Sequence, residues 1–121
     1  MATEKSFTPN ELAQFTGTTQ WYRHALARGI LYTEGVRFIA ERAGAYWLID
    51  EIALAQSAAP ALSGEEFQTW TLIVDANTAV LRCDDGNGKV LLEKRIDYTD
   101  FPEPGIKLYF TDGVIMLPGE Y

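Results

Sequence analysis

The chain has 121 residues, of which 47% are hydrophobic and 22% are charged, a composition typical of a folded domain and not of a disordered segment. Ten basic residues stand against seventeen acidic ones, and the net charge of -7 disfavours nucleic acid as a partner, because such a surface repels a phosphate backbone. Every apolar run is shorter than the roughly eighteen residues of a bilayer span, so the sequence predicts no membrane segment.

This length predicts a single α+β domain over residues 1–121, since a chain of this size buries roughly two-thirds of its unfolded surface in one core. We expect a helical half over residues 8–56, a loop over 57–66, and a β-meander with a final hairpin over 67–118. One cysteine, Cys83, excludes an internal disulfide, and the first ten residues lack the apolar run of a secretion signal. Both observations favour the cytoplasm.

The first predicted helix starts at a capping box. The Thr8 hydroxyl is placed to accept from the amide of Glu11, whose side chain can reach back, and a proline between them pre-sets the first helical φ. We expect this helix to end near Gly17. A strand around residues 20–25 and a turn at Gly29 are predicted next.

Two further helices follow. Thr33 is the predicted cap of the first, an i, i+3, i+4, i+7 apolar pattern runs from Val36 to Ala43, and Gly44 is its predicted stop. The same period recurs in AYWLIDEIALAQ and predicts a second helix. The loop over 57–66 is predicted from its small residues, proline and glycine.

From Phe67 onward the period changes to two, which indicates strands. Strands are predicted in FQTWTLIV, over 78–83 and over 89–96, and Asp112-Gly113 suits the tight turn of a last hairpin. The expected fold is therefore α+β, with N-terminal helices packed on one face of a mainly antiparallel sheet of about five strands.

Alternation divides the strand residues between two faces. Those predicted to face the helices are Trp70, Leu72, Val74, Leu81, Cys83, Val90, Leu92, Ile96, Ile106, Leu108 and Phe110. The other face carries Arg82, Arg95, Lys107 and Tyr109, which predicts a surface suited to an acidic partner or an anion. In the alternative interpretation these cations only solvate the sheet and pair with Glu93.

The one histidine, His24, is a candidate general base, and Asp50 lies among apolar neighbours where it could orient an imidazole. An enzyme of this kind requires the two side chains to meet at the floor of a pocket, which their spacing does not enforce. The alternative is a structural histidine and a carboxylate that bonds a neighbour or faces water.

No cofactor or metal is predicted. One His and one Cys are too few for a zinc site, and the segment from Asp84 to Gly88 departs from the calcium-loop pattern and is explained by a hairpin turn. The chain has no glycine-rich phosphate loop. Cys83 is assigned to the core, where an apolar setting makes a thiol unreactive.

Trp21, Tyr22 and Arg23 form the second candidate binding segment, because aromatic residues are over-represented at the centres of protein interfaces. Packing in the core is the alternative for these rings.

Four segments carry a resemblance: Trp21-Tyr22-Arg23-His24, residues 32–36, AYWLIDEIA and the ending IKLYFTDGVIMLPGEY. In these segments the chain resembles a family of small bacterial, phage and plasmid-borne proteins of unknown function, over nearly its whole length. The resemblance implies no activity, cofactor or catalytic residue, and it indicates an accessory cytoplasmic protein.

The sequence thus favours a non-enzymatic, protein-binding or regulatory accessory protein whose partner is unknown, with a homodimer as one form. Two alternatives stay open. One is a small hydrolase-like acid-base enzyme that uses His24 and Asp50, and the other is an RNA-binding module that uses the open face of the sheet.

Overall fold

In the computed structural model, residues 7–15 and 20–121 are described, and they form three α-helices and seven β-strands. The helices are α1 (Pro9–Leu12), α2 (Glu34–Ala43) and α3 (Tyr46–Ala58). The strands are β1 (Trp21–Arg23), β2 (Leu31–Thr33), β3 (Phe67–Asp75), β4 (Thr78–Asp84), β5 (Val90–Ile96), β6 (Gly105–Thr111) and β7 (Val114–Met116). Single 3-10 turns lie at Pro60–Leu62 and Pro118–Glu120.

The helix caps lie where the sequence predicts them. At α1 the Thr8 hydroxyl accepts from the Glu11 amide at 3.1 Å, and the Glu11 carboxylate accepts from the Thr8 amide at 2.9 Å. The prediction that this helix ends near Gly17 was wrong: α1 ends at Leu12 with Ala13 as its C-cap, and residues 13–15 are not helical. Thr33 caps α2, and Gly44 ends it in the left-handed region, with φ of 65°.

α3 extends two residues into the segment that the sequence predicts as a loop. Ser57 and Ala58 continue the helix, and Pro60 starts a 3-10 turn directly after it. Small residues such as alanine are good helix formers, whereas proline cannot continue a helix, so the boundary moves toward the proline.

The seven strands form one mixed sheet in the order β1-β2-β7-β6-β3-β4-β5. β2 and β7 run parallel, and the other neighbours are antiparallel. The predicted α+β class and mainly antiparallel sheet are confirmed, but the expected number of about five strands behind N-terminal helices was wrong, because β1 and β2 precede α2 and extend the sheet to seven strands. β1 lies within the strand predicted around residues 20–25, whereas β2 was missed: it has three residues, too few to show alternation, and its pairing with β7 leaves no local signature.

The predicted hairpin joins β6 to β7. Asp112 and Gly113 have φ of 54° and 76°, and two successive positive values are what a type I′ turn requires.

The face that α2 and α3 cover matches the predicted alternation along most of its length. Its buried residues are Trp70, Leu72, Val74, Leu81, Cys83, Leu108 and Phe110, and Leu92, Ile96 and Ile106 are partly buried. The assignment of Val90 to this face was wrong: it is 52% exposed, because a register shift between Cys83 and Asp84 changes the pairing at the start of β5.

Candidate functional site

The surface of the sheet opposite α2 and α3 is called here the open face. Strand register brings together on its central part Phe67, Thr69, Thr71, Ile73, Val80, Arg82, Glu93, Arg95, Lys107 and Tyr109. Of these residues Thr69 alone is buried, and Ile73 remains 41% exposed. The strands therefore present one packed face and one face open to a partner.

A polar row crosses the centre of the open face. Thr71 on β3 pairs with Lys107 on β6 and with Arg82 on β4, and Arg82 in turn pairs with Glu93 on β5. Lys107 and Arg82 are therefore two strands apart, about 10 Å across the sheet. The strand register therefore brings Arg82 and Lys107 onto one part of the open face, as the sequence predicts.

The charges in this row are not equally available. Arg82 Nε lies 2.7 Å from Glu93 Oε2, so this guanidinium is paired within the row, as the alternative interpretation expects. Arg95 lies 3.4 Å from Asp97 with both side chains highly exposed, where an ion pair contributes little. Lys107 has no ion-pair partner among the described residues, so its ammonium group is available to an anionic partner.

An aromatic cluster lies beside the polar row. The ring centroids of Phe67 and Tyr109 are 5.0 Å apart, and Tyr121 packs edge-on against both, at 5.4 Å and 5.6 Å. Tyr121 is 73% exposed. Tyr109 was a predicted binding residue, whereas Phe67 and Tyr121 were missed. Phe67 alternates with Thr69 and Thr71 on the same side of β3, so the alternation could have assigned it to the open face. Tyr121 belongs to no periodic pattern.

The segment around Trp21 joins the same surface. Arg23 pairs with Leu31, Leu31 with Val114, Val114 with Thr111, and Thr111 with Phe67, so these residues form a single row of the open face. Trp21, two residues before Arg23 on β1, shares this face and is 51% exposed. The two binding regions predicted separately from the sequence therefore form one continuous surface.

Tyr22 and Arg23 are more constrained than Trp21. Tyr22 lies on the helix side, where its ring stacks on Tyr32 and the guanidinium of Arg37 lies 4.7 Å from the ring centroid. Arg23 donates from Nη1 to the carbonyl of Arg28 and so closes the loop between β1 and β2. Trp21 is therefore the side chain of this segment that is most available for binding.

His24 and Asp50 meet, although 26 positions separate them. His24 Nε2 lies 2.7 Å from Asp50 Oδ1, and Nδ1 accepts hydrogen bonds from the amides of Leu26 at 3.2 Å and Ala27 at 2.9 Å. Because Nδ1 is an acceptor, the ring proton of the neutral imidazole is on Nε2 and is donated to Asp50. Both ring nitrogens are therefore occupied by the protein itself.

This pair lies beside a cleft of about 260 Å³ that is lined by His24, Ala25, Leu26, Tyr32, Tyr46, Ile49 and Asp50. Burial raises the pKa of Tyr32 and of Tyr46, and desolvation of the phenolic oxygen is the largest cause in each case. His24 is 5% exposed, whereas the Asp50 side chain is 56% exposed. A substrate in this cleft would meet a carboxylate and two neutral phenols, and the basic nitrogen of His24 faces the backbone instead.

The thiol of Cys83 is buried in the core. Burial raises the pKa of the Cys83 thiol to about 12, and the nearby carboxylate of Asp84 adds to the effect. Residues 7–15 and 20–121 contain no group of three or more His, Cys, Asp or Glu side chains arranged to hold a metal ion. None of the helices formed by these residues combines the length and apolar character that crossing a bilayer requires.

These features define a class of small α+β protein in which two helices cover one face of a mixed seven-stranded sheet and the other face is left open. A family model described as "Family of unknown function (DUF6876)" matches residues 6–121, and the chain belongs to that family. Comparison with curated proteins and with solved structures found no match.

Proposed function

We propose that this chain is a non-enzymatic binding protein that engages an acidic protein partner through the open face. The observation that carries the proposal is the continuity of this surface from Trp21 on β1 to Arg95 on β5, with aromatic and basic side chains along it. Exposed aromatic side chains bordered by charged residues on one surface are typical of an interaction site.

The aromatic part of the open face supports a protein as the partner. Tyrosine and tryptophan are enriched among the residues that dominate binding energy, because each ring buries a large area at a small entropic cost. Tyr109, Tyr121 and Trp21 supply three such rings, and Ile73 is an exposed aliphatic side chain farther along β3 on the same face. We expect the centre of the interface to lie on Tyr109.

The charges support an acidic partner. The chain carries a net charge of -7, yet Lys107 lies without an ion-pair partner among the described residues, beside the aromatic cluster, and Arg95 lies at the end of the same face. A local positive surface on an acidic protein attracts acidic partners and repels basic ones at their encounter, which acts on specificity and association rate more than on affinity.

The test is affinity capture from native host lysate with three matched baits. The wild-type chain and Lys89→Glu, which reverses an exposed charge in the β4–β5 loop, should retain the same protein, whereas Lys107→Glu should retain at least tenfold less of it, as expected for about 1.4 kcal/mol. Retention of no protein by the wild type, or equal retention by both variants, contradicts the proposal.

A hydrolase-like enzyme is the second candidate, because the 2.7 Å contact between His24 and Asp50 at a cleft is what such a mechanism needs. It ranks lower because Nδ1 already accepts two amide protons, which leaves no free basic nitrogen for a substrate. Hydrolysis of any generic ester or amide probe that His24→Gln abolishes and Asp50→Asn slows would reverse this order.

RNA binding ranks third. The open face combines Lys107 with Tyr109, as a single-strand platform would, but Glu93 pairs with Arg82 in the same row. The net charge of -7 adds a general repulsion. A salt-sensitive gel shift with single-stranded RNA that Lys107→Glu removes would favour RNA over protein.

We place this binding activity in the cytoplasm, in an accessory protein of a mobile element. The single buried thiol of Cys83 suits a reducing compartment, and the resemblance described above supports the accessory role. The neighbouring genes test the second point: an invariant chromosomal housekeeping context would contradict it.

A further inference from the structure

We propose that two copies of this chain pair antiparallel through β5 and form one continuous sheet. This inference does not rest on the binding function proposed for the open face, although its ion pairs use Glu93 and Arg95 at the edge of that face. β5 is the last strand in the sheet order, so one side of its backbone has no strand neighbour among the described residues. The unpaired edge of a strand is a template for pairing with a further strand. Seven residues are enough for a ladder.

Among the registers of self-pairing centred on the charged residues of β5, the side chains favour one. A two-fold axis perpendicular to the sheet keeps the helix-covered faces of both copies on the same side. Residues directly opposite each other must then point to the same face, and the axis passes midway between the two copies of one residue. Centring on Lys94 places Glu93 opposite Arg95 of the second copy, twice, and Leu92 opposite Ile96. The pairing is then both ionic and apolar, and each Glu93 carboxylate, whose Oε2 lies 2.7 Å from Arg82 Nε of its own copy, would bridge to Arg95 of the second copy.

The neighbouring registers are disfavoured by charge. Centring on Glu93 would place two carboxylates opposite each other, and centring on Arg95 would place two guanidinium groups opposite each other, which destabilises a cross-strand pair. In the register centred on Lys94, this lysine lies opposite Lys94 of the second copy. Each Lys94 Nζ lies 2.8 Å from Glu51 Oε2 of α3 in its own copy, so both ammonium groups already have an ion-pair partner.

The apolar surface along this edge supports the same occupant. Leu54 on α3 is 41% exposed and Tyr98, just after β5, is 71% exposed. A groove of about 310 Å³ beside Leu92 is lined largely by apolar residues of α3 and the turn after it. In the chosen register Ile96 of the second copy comes to lie across from Leu92, next to this groove, and covers apolar area that the monomer leaves in water.

A charge-exchange experiment tests the register. Sedimentation analysis of the wild type should give twice the chain mass of 13.5 kDa. Glu93→Arg and Arg95→Glu should each be monomeric, because each places like charges opposite one another, whereas their equimolar mixture should form a heterodimer with both ion pairs restored. Lys89→Glu should dimerise like the wild type.

A cysteine variant provides a second readout that does not depend on the ion pairs. Lys94→Cys places two thiols directly opposite across the axis, and Cys83 is buried and does not compete. Mild oxidation should yield a covalent dimer for Lys94→Cys and not for Lys89→Cys. A wild type that is monomeric in sedimentation, a mixture of variants that does not associate, or equal cross-linking of the two cysteine variants would overturn the proposal.

Discussion

His24 donates a hydrogen bond from Nε2 to Asp50 Oδ1 at 2.7 Å, and this contact fixes which ring nitrogen carries the proton. Nδ1 accepts from the amides of Leu26 and Ala27, so the imidazole organises the loop after β1 from a buried position. A histidine held on both sides in this way has both ring nitrogens engaged by the protein, although its distance to the carboxylate alone resembles that of a catalytic pair.

The first prediction concerns this histidine. His24→Ala should lower the free energy of unfolding by about 2–3 kcal/mol, because it leaves two amides in a partly buried loop without their acceptor. Asp50→Asn keeps an acceptor oxygen and should change stability by less than about 0.5 kcal/mol. Urea denaturation measures both. Nitrogen NMR of the wild type should show a proton on Nε2, and a proton on Nδ1 would contradict the assignment.

A second prediction concerns a buried amide network between α3 and β3. Gln56 and Gln68 exchange two hydrogen bonds of 2.9 Å each, and Gln68 Oε1 also accepts from the indole of Trp70 at 2.9 Å. Gln68→Leu should destabilise the fold by about 1–3 kcal/mol, because it leaves the buried indole N–H unsatisfied. Ser57→Ala, which removes one exposed contact on the same helix, is the control. Equal denaturation midpoints for the two variants would show that the network contributes nothing.

The third prediction concerns the start of α2, where alanine would ordinarily be favourable. A Cβ at Gly35 would lie 2.7 Å from Leu117 Cδ1 and 2.8 Å from the Glu120 carboxyl, which accepts from Thr33 Oγ1 at 2.7 Å. Gly35→Ala gains about 1 kcal/mol in helix propensity but must displace these groups, so we expect a net destabilisation of about 1–2 kcal/mol.

The matched control for this change is Gly29→Ala, because a Cβ at Gly29 meets no atom within 4 Å. Its thermal midpoint should equal or slightly exceed that of the wild type. A stabilised Gly35→Ala variant would mean that the C-terminal turn does not pack against α2 as described.

A fourth prediction follows from the Cys83 thiol, whose pKa burial raises to about 12. The thiol of an unfolded chain has a pKa of about 8.5, so in alkaline solution the folded state keeps a proton that the unfolded state loses. This contribution to stability is complete below about pH 8.5 and declines as the pH rises toward the folded value. The loss of stability between pH 7 and pH 10 should therefore be smaller in Cys83→Ala than in the wild type, measured by urea denaturation. Identical losses would contradict the burial of the thiol.

The local parts of the fold could be predicted because their causes are local. The cap at Thr8, the cap at Thr33 and the turn at Asp112-Gly113 each depend on a few neighbouring residues, and each lies where the sequence indicates. Alternation likewise predicted which side of β3 and β4 is buried.

The remaining features depend on contacts between distant parts of the chain. The parallel pairing of Leu31 with Val114 and the contact of His24 with Asp50 have no signature in residue spacing. Gln68 was unremarkable in the sequence, yet it is 1% exposed, because a polar residue can be buried when α3 supplies its partner. The sequence predicted the Trp21 segment and the face of Tyr109 as two separate binding regions for the same reason, since only the strand order joins them.

The most direct test of the open face as a docking surface is site-specific photocrosslinking in native host cells. A benzophenone side chain at Ile73, which is 41% exposed on this face toward the end of β3, should yield one discrete adduct with another protein, and the same group at Glu66, outside the face, should not. Introducing Lys107→Glu should reduce the Ile73 adduct. No adduct from Ile73, the same adducts from both positions, or an adduct of exactly two copies of this chain would contradict the account.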